Sequence, residues 1–219
     1  MPKTAPTVER DAPPSRPTGH ELRQATAEDI PRLQAMLAEA FFDDPVFGWL
    51  MPEDTKRRAR LRHYFGINLR WYALPHGNVW TTDDLVGAML GLPPGKWRVP
   101  LRTTLRHGTA FGMRIPRAAR LGAAMEWHHM RHLRGVGGIH YYVRDIGVHP
   151  DTQGSGLGSA LMRPLLDRCD REGLPAYIEA SSERSAALYE RLGFQHTKEL
   201  RVGGSPPLWL MLRPPHPSG

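Results

Sequence analysis

The stretch Tyr141 to Leu166, YYVRDIGVHPDTQGSGLGSALMRPLL, constrains this chain more than any other. It opens with Tyr141-Tyr142-Val143, continues through Ile146-Gly147-Val148 and meets a proline at Pro150, a composition and a stop that predict a strand. A glycine-rich turn follows, Gln153-Gly154-Ser155-Gly156-Leu157-Gly158-Ser159, and Leu157, Leu161 and Leu165 then recur at helical spacing. Strand, glycine loop and helix N-terminus together make an anion site. Glycines permit positive φ and close backbone approach, and the N–H groups of a first helical turn point at the ligand. The mononucleotide pattern G-x-x-x-x-G-K-[ST] is absent, because no lysine follows these glycines, and the dinucleotide pattern G-x-G-x-x-G fails at Ser159.

A second stretch, Ser182 to Phe194, reads SERSAALYERLGF. Ser182 suits the N-cap of a helix carrying Leu188, Tyr189 and Leu192, and Gly193 stands where a left-handed residue would end it. Ala176 to Ala180 reads as the strand before it. Two motifs therefore occur in order: Q-G-x-G-x-G after a strand ending in V-x-P, and a late helix with Ala186, Leu188-Tyr189-Glu190 and Gly193-Phe194. Together they resemble the GNAT acetyltransferases, which bind acetyl-CoA. That family usually has Asn seven residues before the tyrosine, where this chain has Ser182. The likeness covers Tyr141 to Phe194. A looser one, to the puromycin N-acetyltransferase group, extends over Leu22 to Leu212 through Asp44-Pro45, Met125-Glu126, His132, Gly158-Ser159 with Pro164, and the residues 189–194. The resemblance implies an α/β (α+β) fold, a mixed central sheet of about six to seven strands flanked by helices.

At 219 residues the chain is long enough for one domain with a proper core. Its proline-rich start reads as a disordered tail over residues 1–20, leaving a domain at 21–213 and a loose end at 214–219. One cysteine, Cys169, excludes an internal disulfide and a cysteine-rich metal site, and suits a reducing cytoplasm. No apolar run approaches the ~20 residues that span a bilayer, so no membrane partner is expected. The net charge of +7 is matched by a cofactor with three phosphate groups without invoking nucleic acid. The expected assembly is a monomer or homodimer.

Along the chain, Glu21 to Ala25 reads as a strand, and a helix from Thr26 or Ala27 shows Ile30, Leu33, Met36 and Leu37 on one face. Phe41 to Leu50 reads as an aromatic loop whose rings, Phe47 and Trp49 among them, either pack on the core or line an acceptor pocket, with Asp43 and Asp44 exposed at its rim. The helix after Pro52 repeats Leu61, Phe65 and Leu69, and its basic run Lys56, Arg57, Arg58, Arg60, Arg62 reads as a solvated face. Gly77-Asn78 reads as the turn signal between two antiparallel strands, Val79 to Thr81 and Leu85 to Leu90. Leu101 to Leu133 reads as two helices interrupted at Pro116. Pro164 should bend the helix after the glycine loop, and Gln195 to Val202 and Leu208 to Leu212 read as the last strands.

The resemblance also implies the chemistry. Acetyl transfer from a thioester to an amine needs a proton acceptor for the nucleophile, a donor for the developing oxyanion and an acid for the departing thiolate. Ile146, Gly147 and Val148 match the strand that holds pantetheine. Gln153, Gly154, Ser155, Gly156, Leu157, Gly158 and Ser159 match the pyrophosphate loop, and Ser182 a further CoA contact. Tyr189 matches the general acid. Glu126 is the candidate base, with Glu179 acting through water and His132 as further options, and Asp44, Phe47 and Trp49 are candidate substrate residues. His128-His129 with His132 lack the glutamate of H-E-x-x-H, so no metal is expected. The leading expectation is an acetyl-CoA-dependent acyltransferase acting on a small-molecule amine, antibiotic-like or metabolic. The alternatives are a protein N-terminal acetyltransferase of the same fold and a catalytically silent module binding CoA or nucleic acid.

Overall fold

The computed structural model describes residues 19–98, 115–135 and 138–216, and their side chains except those of residues 115 and 132–135. The expected tail and the first of the two helices expected across 101–133 therefore lie almost wholly outside the described residues. Seven strands form one mixed sheet: β1 Leu22–Gln24, β2 Val79–Thr82, β3 Gly87–Leu92, β4 Tyr141–Val148, β5 Ala176–Ala180, β6 Gln195–Leu200 and β7 Leu208–Arg213. Their order is β1-β2-β3-β4-β5-β7-β6, and β4–β5 is the parallel pair. Between the strands run α1 Ile30–Ala40, α2 Pro45–Leu50, α3 Asp54–Ile67, α4 Ile115–Gly135, α5 Leu157–Glu172 and α6 Glu183–Arg191. A π-helical turn, Asn68–Ala73, prolongs α3. None of the helices described is long and apolar enough to cross a membrane.

The apolar repeats sort the helices onto the two faces of the sheet. Leu33, Leu37, Leu61, Phe65 and Leu69 bury against one face together with Ala88, Leu90, Tyr142 and Tyr177. Leu157, Leu161, Leu165, Cys169, Ala186 and Tyr189 bury against the other, with Met89, Val143 and Ile178. Burial pushes the Cys169 thiol up to about 12, so it behaves as a small core hydrophobe. Two glycines let helices close on the sheet from opposite sides. A side chain at Gly147 of β4 would lie 2.8 Å from Leu37 and 3.0 Å from Phe41, and one at Gly87 of β3 would lie 2.8 Å from Leu161.

Several local expectations are corrected. Residues 45–50 form a short helix rather than a loop, because Asp44 caps it and Pro45 occupies its first turn. Phe41 and Phe47 stack into a ring cluster with Tyr64 and Phe65. Arg57 is buried rather than solvated: its Nε donates to the Met51 carbonyl at 2.8 Å and it pairs with Asp54. The β2–β3 turn lies at Thr82–Leu85, not at Gly77-Asn78. Leu85 takes a positive φ of 62° there and its N–H donates to the Thr82 carbonyl at 2.9 Å. The apolar face of Leu161, Leu165, Leu166 and Cys169 carries α5 through Pro164, as expected.

The C-terminal segment is pinned at its start. The Arg213 guanidinium donates two bonds of 2.8 Å to Asp170 of α5, and the His216 N–H donates to the same carboxylate at 2.7 Å. The hydrogen bonds from Arg213 hold the Asp170 carboxyl below its usual range despite partial burial. Such a group stabilises the fold above its unfolded pKa of ~3.9, and that contribution disappears as pH falls through the lower folded value. Asp170→Asn should therefore lower stability by about 2 kcal/mol at pH 7, as expected for a charged hydrogen-bonded pair. Urea unfolding at pH 7 and pH 3 checks this: the gap between mutant and wild type should narrow at the lower pH.

Candidate active site

β4 and β5 begin as neighbours and then separate. Their register holds for three pairs, Tyr141↔Ala176, Tyr142↔Tyr177 and Val143↔Ile178, while β4 continues five residues further to Val148. Over that length β4 stays paired on its other side with β3, so its β5-facing edge opens as a wedge. The pairing with β3 also slips at this point. Leu90 faces Asp145 and Gly91 faces Val143, which leaves Arg144 as an extra residue in β4. A bulge of this kind bends the strand and changes which side chains share a face.

Past the wedge, Pro150–Thr152 makes one 3-10 turn and the glycine loop leads into α5. Gly154 and Gly156 both take positive φ, 88° and 87°, and an added Cβ at either would meet nothing within 4 Å. Gly156 is the N-cap of α5 and offers no side chain to its first-turn N–H groups. The loop is held from outside: Ser155 Oγ donates to the Thr152 carbonyl at 2.8 Å, and Gln153 Nε2 donates to the Val148 carbonyl at 3.1 Å. Gln153 Oε1 accepts from Arg184 of α6 at 2.9 Å, which brings a guanidinium to the loop that sequence reasoning missed. Gly158 has a different role from Gly154 and Gly156. Its bare Cα faces Leu188, 3.3 Å from where a Cβ would stand, so it seats α5 against α6. Leu157 is core. Gly147 likewise makes room for α1 while its backbone belongs to the wedge strand. These features fit a pyrophosphate-bearing ligand: an open, left-handed loop, uncapped N–H groups and an unpaired strand edge.

Ser182 caps α6, its Oγ accepting from the Ser185 N–H at 3.2 Å. That cap delivers Tyr189 to the sheet, where it is 5% exposed and lies beside Phe194 with ring centroids 6.0 Å apart. Burial, then the charges of Asp44 and Asp145, raises its phenol well above the ordinary value near ~10. Tyr189 therefore keeps its proton across the working pH range.

Asp44 was expected at an exposed rim and is instead tied in. One oxygen accepts from the Val46 and Phe47 N–H groups at 2.9 and 3.0 Å, and the other accepts from the Ser181 hydroxyl at the end of β5. Burial raises its pKa against those three bonds. Phe47 belongs to the core ring cluster, and Trp49 is half-buried under the Arg117 guanidinium, 5.1 Å from its ring. Glu126 is exposed on α4 and ion-pairs with Arg98 at 3.3 Å, whereas Asp44 and Asp145 are the carboxylates that act on Tyr189. His132 lies on α4 with its side chain outside the described set. Among the described residues no group of three or more His, Cys, Asp or Glu could hold a metal ion.

Comparison with known proteins identifies the family and the fold. An uncharacterised N-acetyltransferase of Schizosaccharomyces pombe is 26% identical over 206 residues, covering 88% of this chain and 83% of that protein. The mycothiol acetyltransferase of Streptomyces coelicolor is 46% identical over 52 residues, a match that spans 22% of this chain and 17% of that enzyme. The crystal structure of histone acetyltransferase HPA2 and related acetyltransferase from Corynebacterium glutamicum superposes with a TM-score of 0.65 at 25% identity, covering 91% of this chain and 99% of that one. The polyamine N-acetyltransferase of Drosophila melanogaster shares the fold, with a TM-score of 0.63 at 18% identity over 89% of this chain and 99% of that one. The model of the acetyltransferase (GNAT) family matches residues 33–194, from α1 through the glycine loop to the end of α6, and the chain belongs to that family.

Proposed function

We propose that this protein transfers the acetyl group of acetyl-CoA to a primary amine of a small molecule, by direct attack in a ternary complex. The observation that carries the reading is the conjunction of wedge, glycine loop and Tyr189 at one end of the sheet. Acetyl-CoA supplies the activated acyl group. The N–H groups after Gly156 hold its pyrophosphate, with Arg184 adding positive charge beside Gln153. The free edge of Ile146 to Val148 orients the pantetheine arm as a strand would, and a backbone N–H there polarises the carbonyl. Ser182 acts through the cap that sets the direction of α6. Tyr189 gives a proton to the departing sulfur. The antibiotic-like acceptor suggested by the puromycin N-acetyltransferase resemblance draws less support, since the Phe41 and Phe47 rings turn into the core.

Two measurements test the reading. Acetyl-CoA should raise the melting temperature as its concentration exceeds Kd, and Gly156→Asp should abolish the rise by adding a side chain at positive φ and a negative charge. An undiminished shift in that variant would remove the loop from the phosphate site.

Tyr189→Phe keeps the ring and deletes the hydroxyl. It should lower kcat by roughly 10²-fold, within the range for a positioned acid, and leave the acetyl-CoA shift in place. Single-turnover transfer should slow by a similar factor. Unchanged turnover with reduced stability would make Tyr189 a packing residue only.

A further inference from the structure

The face of the sheet that carries α1 and α3 holds a set of buried polar groups that the transfer described above does not use. Tyr142 and Tyr177 are opposite one another as the middle pair of the β4–β5 register. Two residues on, Arg144 and Glu179 share their face. The bulge adds Asp145, because Asp145 stands opposite Leu90, itself in the core of that face. Tyr64, Asn68 and Tyr72 meet this group from α3 and its π-helical turn. Asp44 faces it from the cap of α2, Tyr189 from α6, and His129 of α4 stacks behind Tyr177 with ring centroids 4.1 Å apart.

Arg144 is the cation in the middle. Its Nε donates to Asn68 Oδ1 at 3.1 Å, its guanidinium lies 5.4 Å from the Tyr72 ring centroid, and Asp145 Oδ2 is 3.8 Å away, too far for a hydrogen bond. Among the described residues, Asp145 Oδ2 and Tyr72 Oη beside it are buried without a hydrogen-bond partner, and Tyr177 Oη and Asn68 Nδ2 have only the looser company of Glu179 and Tyr64. A folded chain leaves few such atoms unmet, and each is costly. Four together, three of them able to accept, describe a site for a ligand that donates several N–H bonds. The charge count agrees, since Asp145 and Glu179 flank the Arg144 guanidinium and Asp44 adds a third carboxyl beside Asp145.

We propose that Asp145 and Glu179, flanking Arg144, receive the acceptor as an alkylammonium ion and take its proton, with Arg144 as the positioning charge that keeps both carboxylates ionised. The proposal rests on the acetyl-transfer reading and supplies its missing base. Burial pushes Asp145 up to about 6 and Glu179 up to about 7, and the Arg144 charge restrains both. The pair thus titrates near the pH at which a general base is most effective. The ammonium gives one proton to the carboxylate pair. The freed lone pair forms the C–N bond at the thioester carbonyl as the C–S bond breaks. The sulfur gains a proton from Tyr189, and the second proton lost from nitrogen passes through solvent to restore the Tyr189 phenol. The net products are amide, thiol and one proton left on the pair.

The test is the pH dependence of kcat/KM for n-butylamine, phenethylamine and 1,4-diaminobutane, read as thiol release and confirmed by the mass of the acetylated amine. Wild type should rise through a limb between about 6 and 7 and then level, well below the amines' own pKa near ~10. Arg144→Met should move that limb up by about one pH unit or more, and Arg144→Lys should restore it. Glu179→Gln should cost roughly 10²-fold in kcat/KM at pH 7 while the acetyl-CoA thermal shift stays intact. Should Arg144→Met fail to fold, the near-isosteric Glu179→Gln and Asp145→Asn decide, by loss or retention of the limb. A wild-type profile that climbs to ~10 overturns the proposal, because the enzyme would then be selecting neutral amine. A limb indifferent to Arg144 overturns it too. Acetyl-CoA binding with none of the three amines acetylated overturns the ammonium site alone, whereas absence of any acetyl-CoA shift removes the acetyl-transfer reading beneath it.

Discussion

The parallel contact between β4 and β5 lasts three residue pairs, and everything at the working end of the molecule follows from its stopping there. A strand edge inside a sheet normally has its N–H and C=O groups met by a neighbour. Here β5 turns away into Ser181 and Ser182, and β4 runs on alone on that side to Val148. The groups it leaves unmet can be satisfied by a chain-like ligand lying between the strands, in the manner of an added strand. The glycine loop is placed by the same geometry, because it begins where the unaccompanied strand ends.

Holding the strands apart requires struts on both sides. Asp44 is one of them, joining the start of α2 to the end of β5 through Ser181. Arg144 is another, joining β4 to the π-helical turn through Asn68. A buried guanidinium is costly to desolvate, and its planar donor array and attraction to the flanking carboxylates offset that cost only if they stay in register with it. The polar chamber is therefore a source of rigidity for the splay as well as a place where charge can be received. The tyrosines around it, Tyr64, Tyr142 and Tyr177, are all held protonated by burial and so behave as fixed dipoles rather than as charges.

The legible part of this design was local. Glycines ahead of a leucine repeat announced α5, and Ser182 announced α6, because loop conformation and capping are decided by a few adjacent residues. Asp44-Pro45 carried a readable cap signal as well, a short carboxylate followed by proline, but the run of aromatic residues after it obscured a six-residue helix. Arg57 and Arg144 were not legible in this way. Whether a basic side chain is solvated depends on what folds over it from elsewhere in the chain, and Met51, Asn68 and Tyr72 reach these two only in the tertiary structure. The hint for Arg144-Asp145 was two adjacent charges inside an otherwise apolar strand, which strict alternation could not have placed on one face.

That single extra residue in β4 acts as a parity switch for the rest of the strand. Downstream of it Ile146 turns toward α5 and Gly147 toward α1, the reverse of what uninterrupted counting from Tyr141 would assign. A one-residue slip of β4 against β3 beyond the bulge would swap them, driving an isoleucine side chain into a space where even a methyl group would come within 3 Å of Leu37. The register of this segment is thus under tighter geometric control than its composition: substitutions that keep size and charge can be absorbed, while a one-residue slip re-addresses every side chain as far as the glycine loop.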